Sequence, residues 1–208
     1  MDARAWTSRA LNRGLRQPDS RSCGAAALVV ARMLNDERYA ELIATGRHPL
    51  TGYHLDGAPA ERFSAEVIAM HRRSTRSVAL NGRLQLPWPR LLGTPPWALA
   101  AQMSGQHGSG RGGRYRARWI LPSRRDDVVP AIAEALDDGE VVPLMIGTRW
   151  LPRHVVLITG RGHGATHDQF GVYDPAAGGI RRFAVHDFVS GRLGLGRWQT
   201  PWAVVLPD

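Results

Sequence analysis

The sequence predicts an α+β fold in a single domain, and three observations predict it. Helix-type patterning occupies residues 1–110, short β-rich runs occupy 111–208, and 208 residues with 43% hydrophobic content suffice for one sizeable core. Runs of strands that follow runs of helices imply segregated layers rather than alternating βαβ units.

The elements follow in order. Ala3 to Asn12 reads as a short helix. Cys23 to Asn35 is the strongest helix, small or apolar from Ala25 to Leu34 apart from Arg32, and Glu37 to Ala44 follows it. Tyr53 to Pro59 is a loop, and Ala60 to Arg72 is another helix. Four prolines punctuate Pro87 to Pro96, the last two opening a helix through Met103, since proline is tolerated in a first turn. Ser104 to Arg114 is glycine-rich with no aliphatic residue and reads as a loop. Tyr115 to Leu121 is a strand. Ser123 is positioned to cap a helix reaching Asp138 and ending at Gly139. The remaining strands are Val141–Ile146, His154–Thr159, Phe170–Tyr173, Ile180–Ala184 and Ala203–Leu206, separated by Gly, Pro or Asp turns. They predict an antiparallel sheet built of hairpins.

Composition sets limits on function. The net charge is +9, from 27 basic and 18 acidic residues, and every basic residue is arginine. Codon bias accounts for the missing lysines, and avoidance of lysine-directed modification by a delivered protein is the alternative. Positive charge raises non-specific affinity for nucleic acid, membrane surfaces or acidic peptides without choosing among them. The arginines are scattered, so no specific nucleic-acid interface is expected. The tract Arg111-Gly-Gly-Arg-Tyr-Arg-Ala-Arg118 is one short copy running into a strand and reads as a loop. No window approaches about 18 uninterrupted apolar residues, so no membrane span is expected. The N-terminus lacks the apolar core of a signal peptide, and one cysteine suits a reducing compartment. The expectation is a cytoplasmic protein, export without a cleaved signal remaining open.

Cys23 is the single cysteine, so an intramolecular disulfide is excluded. It stands where the strongest helix begins, facing unpaired N–H groups and the positive end of the macrodipole, both of which favour thiolate. The alternative is a small buried hydrophobe. A cysteine nucleophile needs a base, an oxyanion donor and an acceptor that orients the base. His154 heads the strand His-Val-Val-Leu-Ile-Thr, and Asp174 closes the next strand, Gly-Val-Tyr-Asp-Pro. Adjacent antiparallel strands bring such side chains together, letting Asp174 accept from one ring nitrogen while the other faces Cys23. Gln17, six residues before the thiol, supplies an amide for the oxyanion.

This ordered set resembles the papain-like cysteine peptidases: Gln17, then Cys23-Gly24 opening a helix, then Trp150 and His154-Val-Val, then Val172-Tyr-Asp174-Pro175. Within them it is most similar to the bacteriocin-processing, double-glycine leader peptidases. Asp19 falls where those proteins often carry an acidic residue, and Val185-His-Asp-Phe188 resembles the segment after their Asp-Pro strand. The resemblance implies Cys23 as nucleophile, His154 as general base and acid, Asp174 as orienting residue and Gln17 as oxyanion donor. It also implies a peptide or protein substrate with small or glycine residues at the cleaved bond, and a separate exporter as partner.

Two positions depart from the pattern. Ala25 replaces a common proline, and Arg153 precedes the histidine where a small residue is usual. Residues 47–114 fall outside the resemblance and read as a family-specific insertion shaping the cleft. Deamidation or acyl transfer by a delivered effector, a catalytically silent peptide-binding relative and a basic nucleic-acid module are the competing functions. No cofactor is expected. His163, His167 and Asp168 crowd one hairpin, but a polar loop explains them and no metal is expected there.

Overall fold

The computed structural model describes residues 3–11, 14–75, 93–106, 108–162 and 168–208, with side chains from Trp6 onward. Its helices are α1 (Ala3–Leu11), α2 (Cys23–Asn35), α3 (Glu37–Thr45), α4 (Pro59–Ser74), α5 (Pro96–Met103), α6 (Val129–Asp137) and α7 (Val185–Ser190). Its strands are β1 (Tyr115–Trp119), β2 (Val142–Gly147), β3 (Pro152–Arg161), β4 (Gln169–Asp174), β5 (Gly179–Ala184) and β6 (Thr200–Pro207). The class is α+β, with one antiparallel sheet in the order β1-β6-β2-β3-β4-β5.

Sequence pattern explains the strand order. The inner strands β2 and β6 are almost continuously apolar, and β2 is buried at every residue. Strands buried on both faces read that way. The outer strands carry arginines within their length, Arg116 and Arg118 on β1 and Arg181 and Arg182 on β5, whereas the two of the inner strand β3, Arg153 and Arg161, lie near its ends. Charge on an edge strand suppresses pairing with another chain. Only part of the sheet is therefore hairpins. β2 to β5 follow one another, whereas β6 returns from the end of the chain to separate β1 from β2.

Two cores lie on the two faces. One joins α2 and its neighbours α1, α3, α4 and α5 to Met145, Val155, Leu157, Tyr173, Ala203 and Val205. The other packs Ile132 of α6, Phe188 of α7, Leu193 and Leu195 against Leu144, Ile146, Val156, Val172 and Val204 of the sheet. Every residue from Cys23 to Ala31 is buried, so α2 is a central helix wrapped on all sides. Helices α4 and α5, from the stretch unmatched by the resemblance, pack into that same core through Phe63, Val67, Met70, Leu99 and Met103.

The helix expected from Ser123 is shorter than predicted. Tight turns at Pro122–Arg124 and Asp126–Val128 precede α6, which begins at Val129. Pro130 is the cause. Within a helix starting at Ser123 its missing N–H would cost an internal bond and its ring would strike the preceding turn, whereas the first turn accommodates it. His163 and His167 lie outside the described residues. Among the described residues no helix is long and apolar enough to cross a membrane.

Candidate functional site

The site forms where the first turn of α2 meets the ends of β3 and β4. Before α2, the Asp19 carboxylate accepts from the backbone N–H of Arg21 at 2.7 Å and of Ser22 at 2.9 Å, turning the chain into the helix. The Ser22 side chain makes no cap, and Ala26 N–H bonds Ser22 C=O at 2.8 Å. The N–H groups of Cys23, Gly24 and Ala25 stand ahead of that bond, without i−4 partners. Cys23 itself is 3% exposed.

A second segment closes over the helix start. A Cβ on Gly24 would lie 2.7 Å from both Cβ and Oγ1 of Thr94, so only glycine fits there. Gly93 adopts φ +78°, and a Cβ on it would lie 3.9 Å from Cys23 Sγ. Gly93 thus gives the thiol a wall of bare backbone. The Thr94 hydroxyl is fully buried and has no hydrogen-bond partner.

The sheet contributes the imidazole and the carboxylate. His154 stands opposite Ile146 as the third residue of β3, which begins at Pro152, two residues earlier than the sequence predicts, next to an irregularity after Ile146. Gly147 is obligatory at this point, because a Cβ would collide with the backbone carbonyl of Leu151. Extending the register Leu157↔Tyr173 places Asp174 opposite Val156, which makes His154 its diagonal neighbour on the same face. His154 Nε2 lies 2.8 Å from Asp174 Oδ1, with the residues 5% and 6% exposed. The same oxygen accepts from Ala176 N–H at 3.0 Å. Trp198 covers the imidazole, its ring 6.2 Å away and 25° from parallel.

These contacts set the protonation. Burial pulls His154 down, but its hydrogen bonds to Asp174 and Cys23, and the negative charge of both, outweigh burial and hold the imidazole up at about 9. Burial pushes the Asp174 carboxyl up, yet the His154 bond and charge, the Ala176 N–H and Arg181 bring it below the ordinary carboxylate range. Because Nε2 is committed to Asp174, Nδ1 is the nitrogen available to Cys23. Proton positions on this ring follow from those partners.

Gln17 is tied to the same end of the sheet. Its N–H donates to Pro175 O at 3.0 Å, and Tyr173 Oη donates to Leu15 O on the same segment. Its side-chain amide donates to Asp19 O, while Oε1 is buried without a hydrogen-bond partner. One amide proton therefore serves the turn that launches α2. The structure brings Cys23, His154 and Asp174 together and sets Gln17 on the segment that joins the Asp174 turn to α2.

Arg153 is exposed and alternates to the other side of β3 from His154. The charges that raise His154 are those of Cys23 and Asp174. Trp150, at the hairpin tip, is 72% exposed and stacked beneath the Arg149 guanidinium. A surface groove of about 700 Å³ lies at the opposite end of α2, lined by Arg32, Asp36, Arg38 and Gly110 among others, remote from the thiol.

Three residues at the site carry no local signal. Trp198 sits in a glycine-rich loop, Thr94 in a proline-rich one, and Arg181 in an arginine pair on an edge strand. Gly24, directly after the cysteine, is a local signal of a close neighbour, since a glycine inside a helix start leaves room for one. No family model matches the chain, and no curated protein matches it significantly.

Proposed function

We propose that the chain is a cysteine peptidase of papain-like architecture, hydrolysing a peptide bond through Cys23, His154 and Asp174 by way of an acyl-enzyme. The observation that carries this reading is the buried 2.8 Å contact between His154 Nε2 and Asp174 Oδ1, which leaves the other ring nitrogen for Cys23. The resemblance adds the substrate class, peptides cleaved after small or glycine residues such as leader peptides.

The Cys23 thiolate attacks the scissile carbonyl carbon, forming a C–S bond while the carbonyl electrons move onto oxygen. That oxyanion is received by the Cys23 N–H and the free amide proton of Gln17. As the tetrahedral species collapses, the C–N bond breaks and the His154 imidazolium gives its proton to the departing amine. Neutral His154 then takes a proton from water, whose oxygen attacks the thioester. The acid leaves, and thiolate and imidazolium are restored. Asp174 keeps the ring oriented and stabilises its charged form throughout.

Alkylation by iodoacetamide, small enough for a thiol this buried, tests the pairing. The rate is expected to persist at about pH 6, well below the free-thiol range near 8.5. His154→Gln should abolish that low-pH reactivity. A wild-type rate that merely follows free-thiol ionisation would sink the reading. Mass spectrometry of peptide mixtures then separates hydrolysis, two fragments together heavier by one water, from deamidation, a single product with an amide turned to acid.

A further inference from the structure

The Asp174 carboxylate has a second cationic neighbour. Arg181 Nε lies 3.5 Å from Asp174 Oδ2, on the oxygen that His154 does not use. Across β4 and β5 the register pairs Asp174 with Gly179 and Val172 with Arg181, so Arg181 is a diagonal neighbour of Asp174 on the same face. His154 is the diagonal neighbour from β3 on the other flank. Imidazole, carboxylate and guanidinium thus form one row across three strands. Gly179, directly opposite Asp174, has no side chain to block the approach.

We propose that Arg181 is a positioning residue of this site, acting through Asp174: it fixes the carboxylate with Oδ1 toward His154 and draws part of its charge away from the ring. Its catalytic meaning rests on the peptidase reading above. A bare buried carboxylate would hold the imidazolium so firmly that it became a weak proton donor to a leaving amine. A guanidinium in the same field relaxes that hold.

The surroundings leave this role to Arg181. Cys23 faces the pair from α2. Tyr173 of β4 points to the other face, bonded to Leu15 O, and burial raises its phenol so that it stays neutral. Arg197 lies over the Trp198 ring, 5.6 Å from its centre, and Arg153 is on the far side of β3. Among the described residues, His154 and Arg181 are the two cations that act on Asp174.

The full chain is compared with Arg181→Gln and Arg181→Lys. His154 is titrated by imidazole NMR, and Cys23 by iodoacetamide across pH. The glutamine variant is expected to raise the His154 midpoint by about half a pH unit, the scale of a half-exposed ion pair, and lysine to restore most of it. The side chain is 46% exposed, so both variants should fold. An unchanged or lowered His154 midpoint in Arg181→Gln, or a lysine variant that behaves like glutamine, overturns the proposal. The NMR titration reads the imidazole–carboxylate pair whether or not Cys23 is a nucleophile. Failure of the peptidase reading would appear in the iodoacetamide profile instead.

Discussion

The helix-borne and sheet-borne halves of the site are built on opposite principles. On the sheet, the carboxylate of Asp174 is engaged by His154, the Ala176 N–H and Arg181, and Trp198 lies over the imidazole. On the helix side, polar capacity is left open. The first-turn N–H groups of α2 lack i−4 partners, the Ser22 side chain makes no cap, and Thr94 Oγ1 and Gln17 Oε1 are buried without partners. Buried polar atoms without partners are uncommon in folded proteins. The difference separates a half whose polar groups are satisfied within the fold from a half with open hydrogen-bonding capacity, which the proposed peptidase reading assigns to a substrate.

Breaking the sheet half should have the largest effect. Asp174→Ala removes the partner of a buried imidazolium and leaves the Ala176 N–H without its acceptor. At about pH 6 the expected cost is about 3–5 kcal/mol, measured by urea denaturation, with loss of low-pH alkylation. At higher pH the cost should shrink, because His154 sheds its proton. A loss that is the same at both pH values would contradict a charged pair.

The wild-type protein carries the same signature. A histidine held up at about 9 binds its proton more tightly folded than unfolded. Its contribution is complete below the unfolded value near 6.5 and is lost as pH rises to about 9, a change on the order of 3 kcal/mol. Asp174, held below its ordinary range, contributes above that range and loses its contribution as pH falls through its folded value. Denaturation midpoints should therefore decline between about pH 6.5 and 9 in wild type and lose that slope in His154→Gln.

The two halves also differ in how legible they are in sequence. The limits of α2 follow from an uninterrupted run of small and apolar residues, a local property. The meeting of His154 with Asp174 is nearly local too, since consecutive hairpin strands place a strand head beside the next strand's end. What was not legible depends on distant pairings. β6 separates β1 from β2 because the most apolar strands take the middle of the sheet, which no short window records. The truncated α6 was within reach, since Pro130 forbids a helix from Ser123. Trp198, Thr94 and Arg181 reach the site through tertiary adjacency alone.

The helix half should break at its tightest contact. In Gly24→Ala the new methyl meets Thr94 Cβ and Oγ1 at 2.7 Å, and a short, fully buried side chain has little room to move. The expected destabilisation is about 2 kcal/mol, with slower alkylation of Cys23 as the Gly93–Thr94 wall is displaced. A companion Thr94→Val keeps the shape and removes the unpartnered hydroxyl. It should be neutral or stabilising in the free protein, and any loss should appear only with peptide substrate. Thermal melts set beside alkylation rates distinguish the two.

The smallest effects come from two tryptophans, Trp198 over His154 and Trp150 at the hairpin tip, and they sharpen the contrast between cover and surface. Trp198 shields the imidazole, so Trp198→Ala should admit water, weaken the attraction between His154 and Asp174, and move the His154 midpoint back toward its ordinary value. The lost packing should cost about 1 kcal/mol or somewhat more, because the ring is only partly buried against the second core. Trp150 sits at the tip of the same hairpin but is 72% exposed, so Trp150→Ser should leave stability within about 0.5 kcal/mol and the His154 titration unmoved. NMR titration of the two variants side by side decides the matter. Equal shifts would mean that the cover over the imidazole is collective, and a shift in Trp198→Ala alone assigns it to one ring.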